Sequence, residues 1–301
     1  MLNRRQCVAA LAAGLSAQPP QKFVVGFAPE MGGEGTEPRW WRACDECRRL
    51  GFRFVETNNT PLKLVEIYES KPALFKERMA QRNLTMAGFA LATPMIEPAR
   101  RREVIEGNLR VARFLKAIGG SYITHLFASE SNPTVVGQKL PKNIIREGFK
   151  HFAATANQLG KRMLEETGIR IALHAEKGAV RAGVCDPIMD ATDPRYFHFW
   201  ADIGHLAGGG VDPLALLRKY RSRLIGTHLK DWDPNLETEF GGKREKGSFV
   251  MLGKGVVDFP GIIAYLLSTG FDGFNMVELR AQPDPTEEMK DYLTRRLGLR
   301  L

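Results

Sequence analysis

Ionisable residues stand at the ends of apolar, strand-like runs in the second half of the chain. These runs close on His174 and Glu176, on Asp202, on His228 and Lys230, and on Glu278 and Arg280. Because side chains alternate along a strand, both residues of each pair face the same way. Charged groups among core residues are costly unless they are paired or bind a metal. The pattern therefore indicates a cluster of polar side chains that holds a metal ion.

The ligand set that this pattern favours is Glu176, Asp202, His228 and Glu278. Carboxylates held together without a cation would repel one another, and such repulsion raises carboxyl pKa values. A divalent cation removes the conflict. Oxygen donors together with an imidazole suit Mn²⁺, Mg²⁺, Co²⁺ or Zn²⁺, and the residue types do not choose among these ions. We therefore expect a single divalent metal ion as the cofactor.

The elements that must position these residues are alternating strands and helices. Eight apolar runs are predicted as strands: 23–27, 52–56, 84–91, 122–127, 170–176, 199–203, 224–230 and 274–280. Helical patterns lie between them, for example at 108–118 and 144–166. Such alternation implies parallel pairing with right-handed crossovers. We predict an α/β fold, a single (β/α)8 TIM barrel over residues 22–285, followed by a C-terminal helix or tail over residues 286–301. In such a barrel the strand ends converge on one mouth, where barrel enzymes place their active sites.

The composition argues against a nucleic-acid-binding protein. The formal net charge is +9, but the basic residues are interleaved with acids, and no basic run is mixed with aromatic residues. Solvated helix faces explain such a charge distribution.

Cys44 and Cys47 form a C-x-x-C inside an amphipathic helical pattern with no second pair. We therefore interpret them as core-packed helix cysteines rather than as a zinc or redox site. A homo-oligomer is compatible with this sequence.

The first 18 residues are predicted to be an export signal. Arg4 and Arg5 precede an apolar stretch, which ends in small residues suited to a peptidase. Paired arginines are typical of twin-arginine signals. The stretch is too short to span a bilayer. We expect a periplasmic or exported protein without membrane attachment after signal removal; the alternative is a frayed tail on a cytoplasmic protein.

Three motifs resemble those of the xylose isomerase-like barrel superfamily. They are Asp202-Ile203-Gly204-His205, His228-Leu229-Lys230-Asp231, and Gly253-Lys254-Gly255-Val256-Val257-Asp258-Phe259 followed by Glu278. The resemblance covers roughly residues 22–284. The run from Thr227 to Pro285 is most similar to the inosose dehydratase branch. The superfamily also includes sugar isomerases, epimerases and AP-endonuclease-type nucleases.

The resemblance implies a metal held by a carboxylate from strand five, an Asp from strand six, a His from strand seven and a Glu from strand eight. Asp202, His228 and Glu278 match these positions. Strand five departs from the pattern, because many relatives carry a Glu where His174 stands, and the order here is His-x-Glu. His174 is therefore the alternative to Glu176 as the fourth ligand, although the charge of Glu176 favours it.

The reaction that the resemblance implies is isomerisation or epimerisation of a keto-sugar or cyclitol ketone. The metal would act as a Lewis acid on an enediolate formed by loss of an α-proton. Dehydration by an inosose dehydratase-like lyase is the alternative. The candidate bases are Glu176, Glu278 and Glu56. The candidate substrate contacts are His174, His205, Lys230, Arg280 and His125.

Several of these residues also have structural interpretations. His125 could be a core histidine, Glu56 a rim carboxylate paired with an arginine, and Lys230 a partner of Asp231 or Asp202. The segment Trp232–Leu252 is predicted to be a long loop that acts as a lid, or else to be disordered. A non-catalytic sugar-binding barrel is a further alternative. A nuclease would need two or three metals, and six histidines are few for that.

Overall fold

Eight parallel strands close into a barrel, which confirms the predicted (β/α)8 fold. The computed structural model describes residues 23–29, 36–57, 61–127, 142–181, 183–240, 243–279 and 285–301. Neighbours along the chain are neighbours in the barrel, since the order is β1-β10-β7-β6-β5-β4-β3-β2. The barrel strands are β1 Val24–Phe27, β2 Phe54–Thr57, β3 Thr85–Leu91, β4 Tyr122–Leu126, β5 Arg170–Ala175, β6 Phe197–Asp202, β7 Leu224–Leu229 and β10 Phe274–Val277.

Helices cover the outside of the barrel with their apolar faces turned inward. In Arg101–Ile118 the buried residues recur at helical spacing, for example Ile105, Leu109 and Ala112, and Gly119 ends the helix with a φ of +96°. Such left-handed C-terminal glycines cap helices without steric cost. The helices are α1 Thr36–Leu50, α2 Pro61–Tyr68, α3 Pro72–Ala80, α4 Arg101–Ile118, α5 Lys142–Thr167, α6 Lys177–Arg181, α7 Cys185–Asp190, α8 Ile203–Gly208, α9 Pro213–Lys219, α10 Phe259–Ser268 and α11 Glu287–Asp291.

Large side chains inside the barrel lie beside glycines on the adjacent strand. Trp200 is in register with Gly226, Tyr122 with Gly88, and Met276 with Gly26. In each pair a Cβ atom on the glycine would overlap the large side chain. Together with neighbouring small residues, these side chains form a buried cluster inside the barrel. Each glycine thus provides the space for a large group that fills the layer beneath the barrel mouth.

Replacing Gly226 with alanine is expected to destabilise the protein by about 1–3 kcal/mol, because overpacking forces neighbouring groups to move. The added methyl group would push against the ring of Trp200. Gly107→Ala is the matched control, since Gly107 lies exposed within α4, and a Cβ atom added there would meet no atom within 4 Å. That variant should gain about 0.5–1 kcal/mol from helix propensity. Urea unfolding of both variants measures the difference, and equal stability of the two would contradict this packing.

The segment Trp232–Leu252 was predicted to be a long loop, and that prediction is wrong. The chain forms an antiparallel ribbon of β8 Asp231–Phe240 and β9 Lys243–Val250, in which Trp232 lies opposite Phe249. Its polar and charged residues lack the apolar alternation from which strands are recognised. Hydrogen bonding between the two strands and the packing of the buried Trp232 against Phe249 hold the segment.

Asp231 fixes the base of this ribbon. Its buried carboxylate accepts hydrogen bonds from the backbone N–H groups of Trp232, Gly253, Gly255 and Val257 at 2.8, 2.9, 2.9 and 3.1 Å. A Cβ atom on Gly255 would collide with that carboxylate. The Gly-x-Gly motif is therefore explained by close approach of the backbone to Asp231.

The remaining expectations concern the cysteines, the termini and membranes. Cys44 and Cys47 are buried in α1, as predicted, and burial raises the pKa of the Cys44 thiol. The predicted export signal and Arg280 lie outside the described residues. None of the helices within the described ranges is long and apolar enough to cross a membrane.

Candidate metal centre

Four buried side chains converge at the mouth of the barrel. They come from β5, β6, β7 and the residue after β10, and their ligand atoms all lie within 4.8 Å of one another: His174, Asp202, His228 and Glu278. Nδ1 of His228 lies 3.0 Å from Nε2 of His174 and 3.1 Å from Oε2 of Glu278. Oδ2 of Asp202 lies 3.3 Å from Nε2 of His174. We call these four residues the ligand ring.

Local structure aims the Asp202 carboxylate at the ring. Asp202 ends β6 and caps α8, since its Oδ1 accepts a hydrogen bond from the backbone N–H of His205 at 3.1 Å. The other oxygen, Oδ2, is thereby left to face His174 and His228. Asp202 and His228 are also in register across the β6–β7 pair. The Asp-Ile-Gly-His motif therefore combines a helix cap with a ligand position.

Ion pairs with Lys230 and the histidines keep the carboxyl groups of the ring ionised. Burial alone would raise the pKa of Asp202 and Glu278, but Lys230 and the neighbouring histidines hold both values below their usual range. Burial alone would lower the pKa of His228, whereas Glu56, Asp202 and Glu278 raise it well above its ordinary value. Both carboxyl groups are thus ionised beside imidazole nitrogens. Two carboxylates and two imidazoles form a donor set suited to Zn²⁺, Mn²⁺ or Mg²⁺.

On strand five the structure brings His174 into the ring in place of Glu176. Glu176 follows β5, is 8% exposed, and lies outside the group of four ligand residues. Glu176 was the predicted ligand because of its charge. It lies two residues beyond His174 along the strand direction, which places it nearer the mouth of the barrel. Nδ1 of His174 has no hydrogen-bond partner, and the ring therefore engages this histidine through Nε2 alone.

Lys230 and His205 border the ring. Nζ of Lys230 lies 2.6 Å from Oε1 of Glu278 and 3.2 Å from Oδ2 of Asp202. Lys230 therefore pairs with two ring carboxylates, and Asp231 is engaged at the ribbon instead. Nδ1 of His205 accepts a hydrogen bond from the backbone N–H of Lys177 at 3.1 Å. The hydrogen of neutral His205 therefore resides on Nε2, the nitrogen that lies 3.9 Å from Oδ2 of Asp202.

Phe249 is a neighbour of the site that the sequence pattern did not predict. Its ring centroid lies 4.6 Å from that of His205, and Nζ of Lys230 lies 4.9 Å from the same ring. Phe249 belongs to β9, so the ribbon brings it to the barrel mouth. Its position in a charged stretch offered no signal, because only the ribbon pairing reveals which residues face the site.

Glu56 lies beneath the ring and not at the rim. It has no solvent exposure, and its Oε1 lies 2.9 Å from Nε2 of His228. Its Oε2 accepts a hydrogen bond from the hydroxyl of Tyr122 at 2.5 Å. The expected arginine partner is therefore replaced by a tyrosine and a histidine, and the carboxylate has no open side from which to approach a substrate.

His125 is fully buried on the outer face of β4. Nδ1 of His125 is 3.4 Å from Oγ1 of Thr93, which also accepts a hydrogen bond from Asn108 of α4. Inward positions on β4 belong to residues such as Tyr122. This position fits the interpretation of His125 as a core histidine. The sequence left the two interpretations open, since β4 is buried along both faces and its residues do not reveal which side is inward.

His125 is expected to make the protein acid-sensitive. Burial lowers the pKa of folded His125 from 6.5 to about 3. As the pH falls below about 6.5, the unfolded chain binds a proton that the folded chain does not, so the free energy of unfolding falls by up to about 1.4 kcal/mol per pH unit. His125→Gln should remove this contribution. Denaturant unfolding between about pH 7 and pH 4.5 measures both slopes, and parallel slopes for parent and variant would contradict the assignment.

Within the described ranges, one group of three or more His, Cys, Asp or Glu side chains could hold a metal ion. That group is the ligand ring. The nuclease alternative would need a cluster of two or three metals. The geometry therefore supports a site for one cation bordered by an ammonium group and an imidazole, which is suited to acid–base chemistry on an oxygenated small molecule.

Comparison with known proteins agrees with this geometry. The family model described as "Xylose isomerase-like TIM barrel" matches residues 44–296. An inosose dehydratase of Bacillus cereus (strain AH820) is 27% identical over 269 residues, which cover 85% of this chain and 86% of that protein. A sugar phosphate isomerase/epimerase from Parabacteroides distasonis ATCC 8503 shares the fold with a TM-score of 0.66 at 15% identity, covering 91% of this chain and 94% of the other.

A further structure shows the same fold with a metal bound. A xylose isomerase-like TIM barrel protein from Mycobacterium smegmatis, in complex with magnesium, superposes with a TM-score of 0.64 at 15% identity, covering 94% of this chain and 97% of the other. The family model itself spans most of the barrel and all four ring residues. The chain therefore belongs to the xylose isomerase-like TIM barrel family.

Proposed function

We propose that this protein is a divalent-metal-dependent lyase that removes water from a keto-sugar or a cyclitol ketone. The observation that carries the proposal is the ligand ring at the barrel mouth, bordered by the proton-bearing groups of Lys230 and His205. His174, Asp202, His228 and Glu278 would hold the cation. When bound, the cation would supply Lewis acidity that stabilises negative charge on the carbonyl oxygen of a substrate.

Glu176 is the base that we propose. Side-chain alternation places it on the same face as His174 and one step nearer the mouth, where a substrate would lie above the ring. Glu176 would take the proton from the carbon next to the ketone. Since His174 occupies the ring, the His-x-Glu order of strand five divides metal binding and proton removal between two residues.

His205 and Lys230 would complete the elimination. After Glu176 takes the α-proton, the electron pair forms the carbon–carbon double bond and the hydroxyl on the β-carbon leaves. The ammonium of Lys230 would supply the proton with which that hydroxyl departs as water. His205 would donate a hydrogen bond to the departing oxygen through Nε2–H.

Dehydration is favoured over epimerisation because the site pairs a base with proton donors of a different kind. Epimerisation requires removal and return of a proton on opposite faces of one carbon, for which two similar groups are suited. The inosose dehydratase among the relatives supports the same choice. Epimerisation remains the second candidate, favoured by the barrel shared with the sugar phosphate isomerase/epimerase.

A proton-exchange screen in deuterated water tests this proposal. The metal-loaded protein is incubated with ketoses and cyclitol ketones with Mn²⁺ added, and both deuterium incorporation and loss of water are followed by mass spectrometry. We expect metal-dependent exchange together with a product lighter by one water. Exchange with an inverted or isomerised product would support the second candidate. No exchange with any ketone would contradict both and favour a non-catalytic binding barrel.

A further inference from the structure

Glu56 is a buried carboxylate for which the proposed reaction has no use. It lies on β2, and its side chain reaches His228 on β7, which is 172 residues away in the chain. Both side chains have no solvent exposure. The contact occurs through Nε2 of His228, whereas Nδ1 of the same ring faces His174, Asp202 and Glu278. The two nitrogens of His228 therefore have separate partners.

We infer that Glu56 is a positioning residue that fixes the metal-binding form of His228. An imidazole that binds a metal is neutral and carries one hydrogen, and the nitrogen without it binds the ion. When a metal binds, Oε1 of Glu56, which lies 2.9 Å from Nε2, would hold that hydrogen on Nε2 and leave the lone pair of Nδ1 for the ion. This inference rests on the proposed function only in requiring that the ring binds a metal.

The alternative form of His228 would disable the ring. If Nε2 lost its acceptor, the hydrogen would be favoured on Nδ1, because Asp202 and Glu278 lie 3.4 and 3.1 Å from that atom and would accept it. A nitrogen that donates to the neighbouring ligands cannot itself bind the cation. Glu56 thus opposes a competing hydrogen bond that the ring carboxylates would otherwise form.

Tyr122 and Trp200 hold this pair in place. The hydroxyl of Tyr122 donates to the second oxygen of Glu56 at 2.5 Å, which fixes the carboxylate plane. The Trp200 ring lies edge-on to His228 at 5.3 Å between centroids and packs on Tyr122 at 4.4 Å. The aromatic layer beneath the mouth therefore serves the orientation of a metal ligand as well as the filling of the barrel.

Zinc affinity of Glu56 variants tests the inference without substrate. Loss of a group that orients a metal ligand typically weakens binding by about 10- to 100-fold. We expect Glu56→Ala to raise the Zn²⁺ Kd by that factor in chelator competition. Glu56→Gln keeps an oxygen acceptor for Nε2–H and should recover most of the affinity. Asn108→Ala is the control, because Asn108 is a buried, hydrogen-bonded residue of α4 outside the ring.

A second measurement separates orientation from a purely structural role. In metal-free protein with ¹⁵N-labelled histidine, NMR should show a hydrogen on Nε2 of His228 in the parent and in Glu56→Gln, but on Nδ1 alone in Glu56→Ala. The His228→Gln variant assigns the signal. If Glu56→Ala fails to fold, Tyr122→Phe is measured in its place. We expect its Zn²⁺ Kd to lie several-fold above that of the parent.

The outcomes distinguish this inference from the proposed function. A parent protein that binds no metal would refute the proposed function. If the parent binds zinc and the folded variants bind it equally well, only the role of Glu56 is refuted. An equal loss of affinity in Asn108→Ala would refute it too, because the loss would then reflect general stability.

Discussion

Replacing Glu278 with glutamine is expected to abolish metal retention and the exchange of substrate protons together. The amide removes a negative charge from the ring and from Lys230, whose Nζ lies 2.6 Å from Oε1 of Glu278. Breaking a buried charge interaction costs about 3–5 kcal/mol, and the same free energy lost from metal binding corresponds to a Kd higher by about 10²- to 4 × 10³-fold. Metal content after dialysis and the Zn²⁺ Kd give the first readout, and deuterium incorporation gives the second.

Glu288→Gln is the matched control for this experiment. Glu288 makes an exposed ion pair with Lys254 at 3.1 Å, and it lies in α11 away from the ring. The same chemical change at that position should leave both metal content and exchange at the parental level. A Glu278→Gln protein that retains metal and exchanges protons would remove Glu278 from the ligand set and refute the proposed site.

The barrel was predictable because its signal is distributed along the whole chain. Each predicted strand overlaps an observed one, since every β/α unit must bury an apolar strand under an amphipathic helix. A similar reason made three site residues predictable from the sequence, namely Asp202, His228 and Glu278. Each lies at the end of a strand, and strand ends in a barrel meet at one mouth. Local sequence was therefore sufficient to predict a site residue where its position along a strand determines its position in the site.

Contacts that cross the barrel were not predictable in this way. Glu56 and His228 lie on strands that are not neighbours in the barrel, and no local pattern connects them. For His125 the substrate-contact and core-histidine interpretations could not be separated, because both faces of β4 are buried and only its inward tyrosine reveals the alternation. Phe249 required the pairing of the ribbon strands. In each case the missing information was three-dimensional contact, which residue types and spacing do not contain.

On strand five, His174 and Glu176 are expected to respond differently to the same substitution. His174→Gln should raise the Zn²⁺ Kd on the order of 10²-fold, or about 3 kcal/mol, through loss of a ligand from the ring. Glu176→Gln should leave the Kd within a few-fold of the parent. Its exchange rate should nevertheless fall by about 10²- to 10⁴-fold, the usual contribution of a general base.

Measuring metal affinity and proton exchange on both variants makes the assignment decisive, because the two roles change different quantities. A ligand acts before substrate arrives, so its loss is visible in the Kd and is partly offset by excess metal. A base acts only on bound substrate, and added metal cannot restore it. If Glu176→Gln lost metal while His174→Gln retained it, Glu176 would be the ligand, as the charge of the side chain alone suggested. The geometry predicts the opposite result, because Nε2 of His174 lies within 3.3 Å of both His228 and Asp202.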